Sequence, residues 1–160
     1  MIPDLLYKYL FTFFLSMLPL IEIRGAVVYA LGWNVPFWPA LCLALVGNIL
    51  PVPVIFFLAR KVLIWGSSLP APKLARFFQF FLDRGAAAGR KLQRDKKGIY
   101  WALFLFIGIP IPGTGAWTGT LAASLLDLDF KETCIAALGG ILLAAFLMSL
   151  GTLGVVRIFS

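Results

Sequence analysis

Charged residues are missing from three long stretches of this chain: residues 25–59, 98–126 and 133–156. A membrane-crossing helix needs about 20 mostly apolar residues, so each stretch can hold a span and the first two exceed one. Within the first, Gly32-Trp33-Asn34-Val35-Pro36 is turn punctuation. It leaves a helix over 37–59 that ends at Arg60-Lys61. Pro51 and Pro53 sit inside that helix, each deleting a backbone donor and freeing a carbonyl, so a kink is expected. Upstream, the apolar run 5–18 is too short to span comfortably, and Pro19 and Glu22-Ile-Arg24-Gly25 follow it. A straight crossing would put those charges near the bilayer centre. The pattern therefore predicts a re-entrant hairpin: a half-helix in, a turn over 19–25, and a half-helix out through Tyr29 and Leu31.

The second half repeats the plan. Residues 100–109 form a short apolar arm, and Pro110-Ile-Pro112-Gly113-Thr114-Gly115 is a stretch no helix interior tolerates. Residues 116–125 form the return arm, 127–132 a polar loop, and 134–156 a closing span. Cys42-Leu-Ala-Leu-Val-Gly-Asn-Ile-Leu50 aligns with Cys134-Ile-Ala-Ala-Leu-Gly-Gly-Ile-Leu142, and Arg24-Gly25-Ala26 falls opposite Thr114-Gly115-Ala116. A hairpin plus one span crosses the membrane an odd number of times, so two such units in series must be inverted. The expected fold is an all-α integral membrane protein of one domain, 1–160. Repeat one covers 5–60, a basic linker helix 61–98, and repeat two 99–157. Inverted repeats with broken helices meeting near the midplane are a transporter architecture.

Composition agrees: 61% of the 160 residues are hydrophobic, 13% are charged, and the mean hydropathy is +0.96. A soluble domain carries about 25% charged residues. Ten basic residues fall in one block (Arg60, Lys61, Lys73, Arg76, Arg84, Arg90, Lys91, Arg94, Lys96 and Lys97) and dominate the net charge of +7. Between spans, such a block is the positive-inside signal rather than a nucleic-acid surface, so the central loop is expected to be cytoplasmic in a multi-pass protein of the cell membrane. Within it, Leu74, Phe77, Phe78, Phe81, Ala88 and Leu92 recur at helical spacing while the cations mostly take other faces. That describes a helix starting at Pro70 or Pro72 and ending at Gly98. It either lies on an anionic leaflet or packs on the protein's own spans. No small-x-small cleavage site follows the first apolar run, which is expected to stay in the mature protein. Cys42 and Cys134 are expected to be buried small hydrophobes, and the chain has no histidine. Neither a metal, a cofactor nor an enzymatic centre is expected.

The candidate chemistry lies at the two hairpin turns. Glu22 and Arg24 are costly at membrane depth, about 2.5 kcal/mol or more each. The functional expectation is that Arg24 holds an anionic group while Glu22 tunes it or carries a proton. The alternative is a structural pair bracing the turn. Gly25, like Gly113 and Gly115, allows close backbone approach, and Thr114 and Thr118 offer hydroxyls. With Pro110 and Pro112 they form the unwound segment facing the N-terminus of the return arm, an expected anion site. Trp117 stacks on a substrate or wedges the hairpin. Asn48 joins the candidate site or makes a helix–helix hydrogen bond. Trp33, Trp38, Trp65 and Trp101 suit the two interfaces.

Pro19-Leu-Ile-Glu22-Ile-Arg24-Gly25-Ala26, Val46-Gly-Asn-Ile-Leu-Pro-Val-Pro53 and Ile109-Pro-Ile-Pro-Gly-Thr-Gly-Ala-Trp-Thr-Gly119 resemble the signature segments of the small multi-drug export family. That family resembles the wider DedA superfamily, whose members carry two re-entrant hairpins and include carriers of undecaprenyl phosphate and phospholipids. The resemblance implies that Glu22 and Arg24 take the place of the acidic and basic residues of the DedA hairpins. DedA proteins carry further arginines in the second hairpin, and this chain has none over 98–126. The expected function is transport of an amphiphilic anion, such as a polyprenyl phosphate or another phospholipid, with proton or ion coupling. Membrane lipids are then the partners, and a homodimer suits so small a fold. The rivals are an exporter of small hydrophobic or cationic drugs and a non-transporting membrane scaffold.

Overall fold

The structure, a computed structural model, describes residues 2–92 and 96–159. Every regular element among them is a helix: α1 (Ile2–Met17), α2 (Glu22–Gly32), α3 (Phe37–Ile49), α4 (Pro51–Ser67), α5 (Pro72–Leu92), α6 (Lys96–Gly108), α7 (Ala116–Leu125) and α8 (Phe130–Phe159). Leu50 keeps helical dihedrals (φ −56, ψ −40) between α3 and α4, so the two run on as one rod, Phe37–Ser67. The ladder breaks at Leu50, just before Pro51, where the missing proline donors predict a kink. This rod and Phe130–Thr152 of α8 are long and apolar enough to cross a membrane. The other apolar helices are shorter: at 1.5 Å per residue, α2 and α7 reach only about 16 and 15 Å.

Packing follows side-chain size. The core is built from Ile23, Ala26, Ala44, Ala116, Ala123, Ala137, Ile141 and Ala144, mostly small residues that let backbones approach. Leu6, Phe14, Trp38, Phe57, Trp101 and Phe146 point outward. Small residues between helices and large ones outside is the arrangement suited to an apolar solvent. α1 turns back on α2 and packs on α3; α6 packs on α8; α7 lies along α4, and α2 along α8.

Several expected boundaries shift. α2 begins at Glu22, so Glu22, Arg24 and Gly25 belong to its first turn and only residues 18–21 form the bend. α8 begins at Phe130 and absorbs Lys131 and Glu132, because Asp129 caps it by accepting the Glu132 amide at 3.1 Å. Gly98 does not end a helix but lies within α6, and α5 is described as far as Leu92. Cys42 is exposed rather than buried.

Of the stripe expected in α5, Arg94 lies outside the described residues, as do the side chains of Ala88, Arg90, Lys91 and Leu92. The rest of α5 uses two adjacent faces. Phe78 packs over Gly66 and Gly85 against the Leu125 carbonyl, while Leu74, Phe77, Phe80 and Phe81 are exposed.

The α6–α8 contact closes at Gly140, where an added Cβ would stand 2.7 Å from Ile107 Cβ and 2.8 Å from the Phe104 carbonyl. Gly140→Ala should therefore cost about 1–3 kcal/mol through overpacking, read as a lower melting temperature in detergent. Gly151, with nothing within 4 Å of its would-be Cβ, is the control: Gly151→Ala should melt with the parent or slightly above it.

Candidate functional site

The segment between α6 and α7 cannot be helical. Pro110 and Pro112 lack amide donors, and Gly113 (φ 85) and Gly115 (φ 151) adopt backbone closed to L-residues with side chains. One helix end with free carbonyls and another with free amides therefore face each other. The first turn of α2 supplies both partners.

Arg24 meets the carbonyl end. Its Nη1 donates to the carbonyls of Ile111 (2.7 Å) and Thr114 (2.8 Å). Its Nη2 donates to those of Ile107 (3.1 Å) and Ile109 (3.0 Å) and to Thr114 Oγ1 (3.1 Å). Glu22 meets the amide end: its Oε1 accepts the Trp117 amide at 3.0 Å. The cation thus stands at the negative end of α6 and the carboxylate at the positive end of α7. To aim that carboxylate, Glu22 takes φ 51, a left-handed conformation costing about 1–2 kcal/mol. Gly115 is required twice, by its dihedral and because any Cβ would collide with the Glu22 carboxylate. Trp117 Nε1 donates to the Met17 carbonyl at 3.0 Å, closing the end of α1.

The structure thus brings together Glu22, Arg24, Thr114, Gly115 and Trp117. Pro110, Pro112 and Gly113 shape the same loop from its exposed side, and Gly25 packs tightly on Ile21. The α7 N-terminus expected to take an anion is occupied by Glu22. Thr118 turns back toward the Gly115 carbonyl (3.4 Å). Asn48 does not make the expected helix–helix bond: it is buried, and neither side-chain polar atom has a partner among the described residues. Trp33, expected at an interface, closes the far end of the first hairpin with its ring 4.2 Å from Tyr29 and its carbonyl accepting Lys8 Nζ at 3.1 Å.

Two clefts open elsewhere on the molecule, one at the far ends of α6 and α7 and one beside Arg24. A groove of about 1120 Å³ opens where α6 begins and α8 begins. Tyr100, Trp101, Phe104 and Phe130 wall it, with Asp127, Asp129, Glu132 and Lys97 around them. Asp127 pairs with Arg60, and Tyr100 Oη accepts the Asp129 amide at 3.1 Å. Sequence reading took residues 127–132 as a polar loop. Its acidic residues become part of a site only because α6 lays aromatic rings beside them. The second cleft, about 760 Å³, lies among α1, α2 and α8. It is apolar apart from Arg24 and Tyr29, whose Nε and hydroxyl have no partner among the described residues.

An all-helical chain with two helices of membrane-crossing length and apolarity, its large apolar residues outside and its charged pair inside, fits a membrane protein. The family model described as "Putative small multi-drug export protein" matches residues 22–147, and the chain belongs to that family. No curated protein and no solved structure matches it.

The junction makes a graded prediction. Glu22→Gln keeps an acceptor for the Trp117 amide and should melt close to the parent. Glu22→Ala and Arg24→Ala strand backbone groups of which several are part-buried, at up to about 1–3 kcal/mol for each such group left unpaired, and should melt well below it. Arg24→Lys should resemble Arg24→Ala, since an ammonium cannot reproduce a planar fork that serves five acceptors. Equal melting of all four variants would show that the junction is not what holds the hairpins together.

Proposed function

We propose that this protein exports small hydrophobic cations across the cell membrane. The groove at the start of α6 and α8 carries the reading: four aromatic side chains beside the Asp129 and Glu132 carboxylates, with Asp127 already paired to Arg60, suit a flat, lipophilic cation, which gains both ring contact and charge compensation. The Arg60–Asp127 pair sets this groove at the same end of the molecule as the basic block. By the positive-inside bias that end is cytoplasmic, the side from which an exporter loads. The family name supports the same activity.

In this reading α1–α2 and α6–α7 are re-entrant hairpins in two inverted repeats. Similar packing supports it: α1 approaches α3 at Gly47 through Phe13 and Ser16, as α6 approaches α8 through Phe104 at Gly139, the counterpart of Gly47 in the alignment, and through Phe104 and Ile107 at the next residue, Gly140. The Glu22–Arg24 junction is then the closed barrier between the two sides, and the substrate passes when it parts.

A second reading rests on the other cleft. Arg24 and Tyr29 in the wall of an otherwise apolar cleft suit the headgroup of an amphiphilic anion, such as a DedA-type lipid phosphate, with its tails in lipid.

Ethidium efflux from proteoliposomes separates the two. Glu132→Gln and Trp101→Ala should each slow efflux several-fold while leaving the melting temperature unchanged. Full efflux in both would refute the groove. Accelerated flipping of a labelled polyprenyl phosphate, lost in Tyr29→Phe and with no ethidium efflux, would move the assignment to the second cleft. For topology, Asn34→Cys and Asp129→Cys in a cysteine-free background should label from opposite faces; labelling from one face would end the inverted arrangement.

A further inference from the structure

α5 carries an apolar surface that the described residues leave uncovered: Leu74, Phe77, Phe80 and Phe81 are all exposed, Phe77 by 56%. Aromatic rings left in water forgo their burial energy, and a cluster of them on one helix marks a contact. The order of side chains around α5 says with what. At 3.6 residues per turn, four arcs follow one another. Phe78 and Gly85 share the first, which lies on the protein: Phe78 covers Gly66, and Gly85 meets the Leu125 carbonyl. Leu74, Phe77 and Phe81 share the second, with the Phe77 and Phe81 rings 5.0 Å apart. Lys73, Phe80 and Arg84 form the third, bordered by Arg76, and the Arg84 guanidinium carbon stands 4.9 Å from the Phe80 ring centroid. Gln79 and Asp83 form the fourth.

Protein, apolar, cationic, then polar: that is the order met on leaving a membrane protein through acyl chains and headgroups into water. The three cations are exposed and make no ion pair among the described residues, so their charge is free for phosphate. The ring beside Arg84 lets an apolar stem carry the guanidinium outward. The attachment of α5 sets its depth. Gly66 lies in the last turn of α4 and Leu125 is the last residue of α7, so α5 is fastened where two helices of the core end. Trp65, next to Gly66, is 64% exposed, and an outward indole at a helix end is typical of headgroup level. The Arg60–Asp127 pair joins the same two helices near these ends. The positive-inside bias makes this side cytoplasmic, and the cytoplasmic leaflet is the one that carries anionic lipid.

We infer that the uncovered face of α5 binds anionic phospholipid of the cytoplasmic leaflet: Leu74, Phe77 and Phe81 enter the acyl chains, while Lys73, Arg76 and Arg84 hold the phosphate headgroups. The surface goes beyond the export reading and does not depend on which molecule is exported. Lipid that holds α5 in place also stabilises the folded chain, because it binds only the state in which these arcs exist.

Two readouts on the full chain test cover and charge. In a cysteine-free background, nitroxides at Phe77→Cys and Asp83→Cys are compared in nanodiscs of phosphatidylcholine mixed with phosphatidylglycerol. The label at 77 should be open to oxygen and shielded from a water-soluble nickel chelate, and the label at 83 should show the reverse. Equal access of the chelate to both would place the face in water and overturn the proposal. A label at 77 closed to both reagents would mean a protein cover, from this chain or a second copy, and would overturn it as well. For charge, phosphatidylglycerol added to the protein in detergent should raise the melting temperature, and phosphatidylcholine should not. The triple variant Lys73→Gln, Arg76→Gln, Arg84→Gln alters only exposed side chains. It should melt with the parent in phosphatidylcholine and need several-fold more phosphatidylglycerol for the same rise. An equal response of the parent to both lipids, or an undiminished response in the triple variant, would refute the headgroup site. Neither readout uses transport, so a failed ethidium assay leaves this inference standing and its own failure says nothing against export.

Discussion

The fold depends on one exchange: a carboxylate and a guanidinium two residues apart on α2 take up the two halves of a broken helix on the other side of the molecule. A chain that interrupts a helix away from water must satisfy the backbone groups it frees. The interruption at residues 109–115 does so with partners nearly ninety residues away in sequence, which ties the first hairpin to the second more firmly than apolar contact between small side chains could. The left-handed Glu22 and the side-chain-free Gly115 are the local concessions that let the carboxylate reach the α7 amides.

That exchange also changes what the charged pair can do. Both terminal nitrogens of Arg24 are committed to protein acceptors, and Glu22 sits where a bound anion would. The pair therefore ties the two hairpins together. The groove by α8 combines aromatic rings with carboxylates; the cleft by α1 is apolar apart from Arg24 and Tyr29. Parting the junction would free a whole set of backbone groups at once, so its closed state is strongly favoured until something replaces those partners.

α5 shows how one helix can serve two environments. Phe78 and Gly85 fasten it to α4 and α7, and the neighbouring flank of Leu74, Phe77 and Phe81 stays uncovered beside exposed Lys73, Arg76 and Arg84. Sequence reading set leaflet and protein as alternatives for this helix. Its periodic stripe is wide enough to face both, because the packed positions and the exposed phenylalanines occupy adjacent arcs of one wheel.

The sequence by itself determined what is written in short-range chemistry. Charge-free stretches fixed the long helices, and proline and glycine fixed the breaks at 33–36 and 109–115, because those residues lack the donors or take the dihedrals that end a helix. The same local rules misjudged helix starts at Glu22 and Phe130, where a cap or a neighbour sets the boundary rather than composition. The tertiary structure alone decided partnership. Nothing in the spacing of Glu22 and Arg24 says that they would cap α7 and α6, that Asn48 would have no partner among the described residues, or that the acidic residues at 127–132 would share a groove with Trp101. Those outcomes depend on which helix lies beside which, and an apolar helix carries little record of its neighbour when most of its contacts are interchangeable alanines, leucines and glycines.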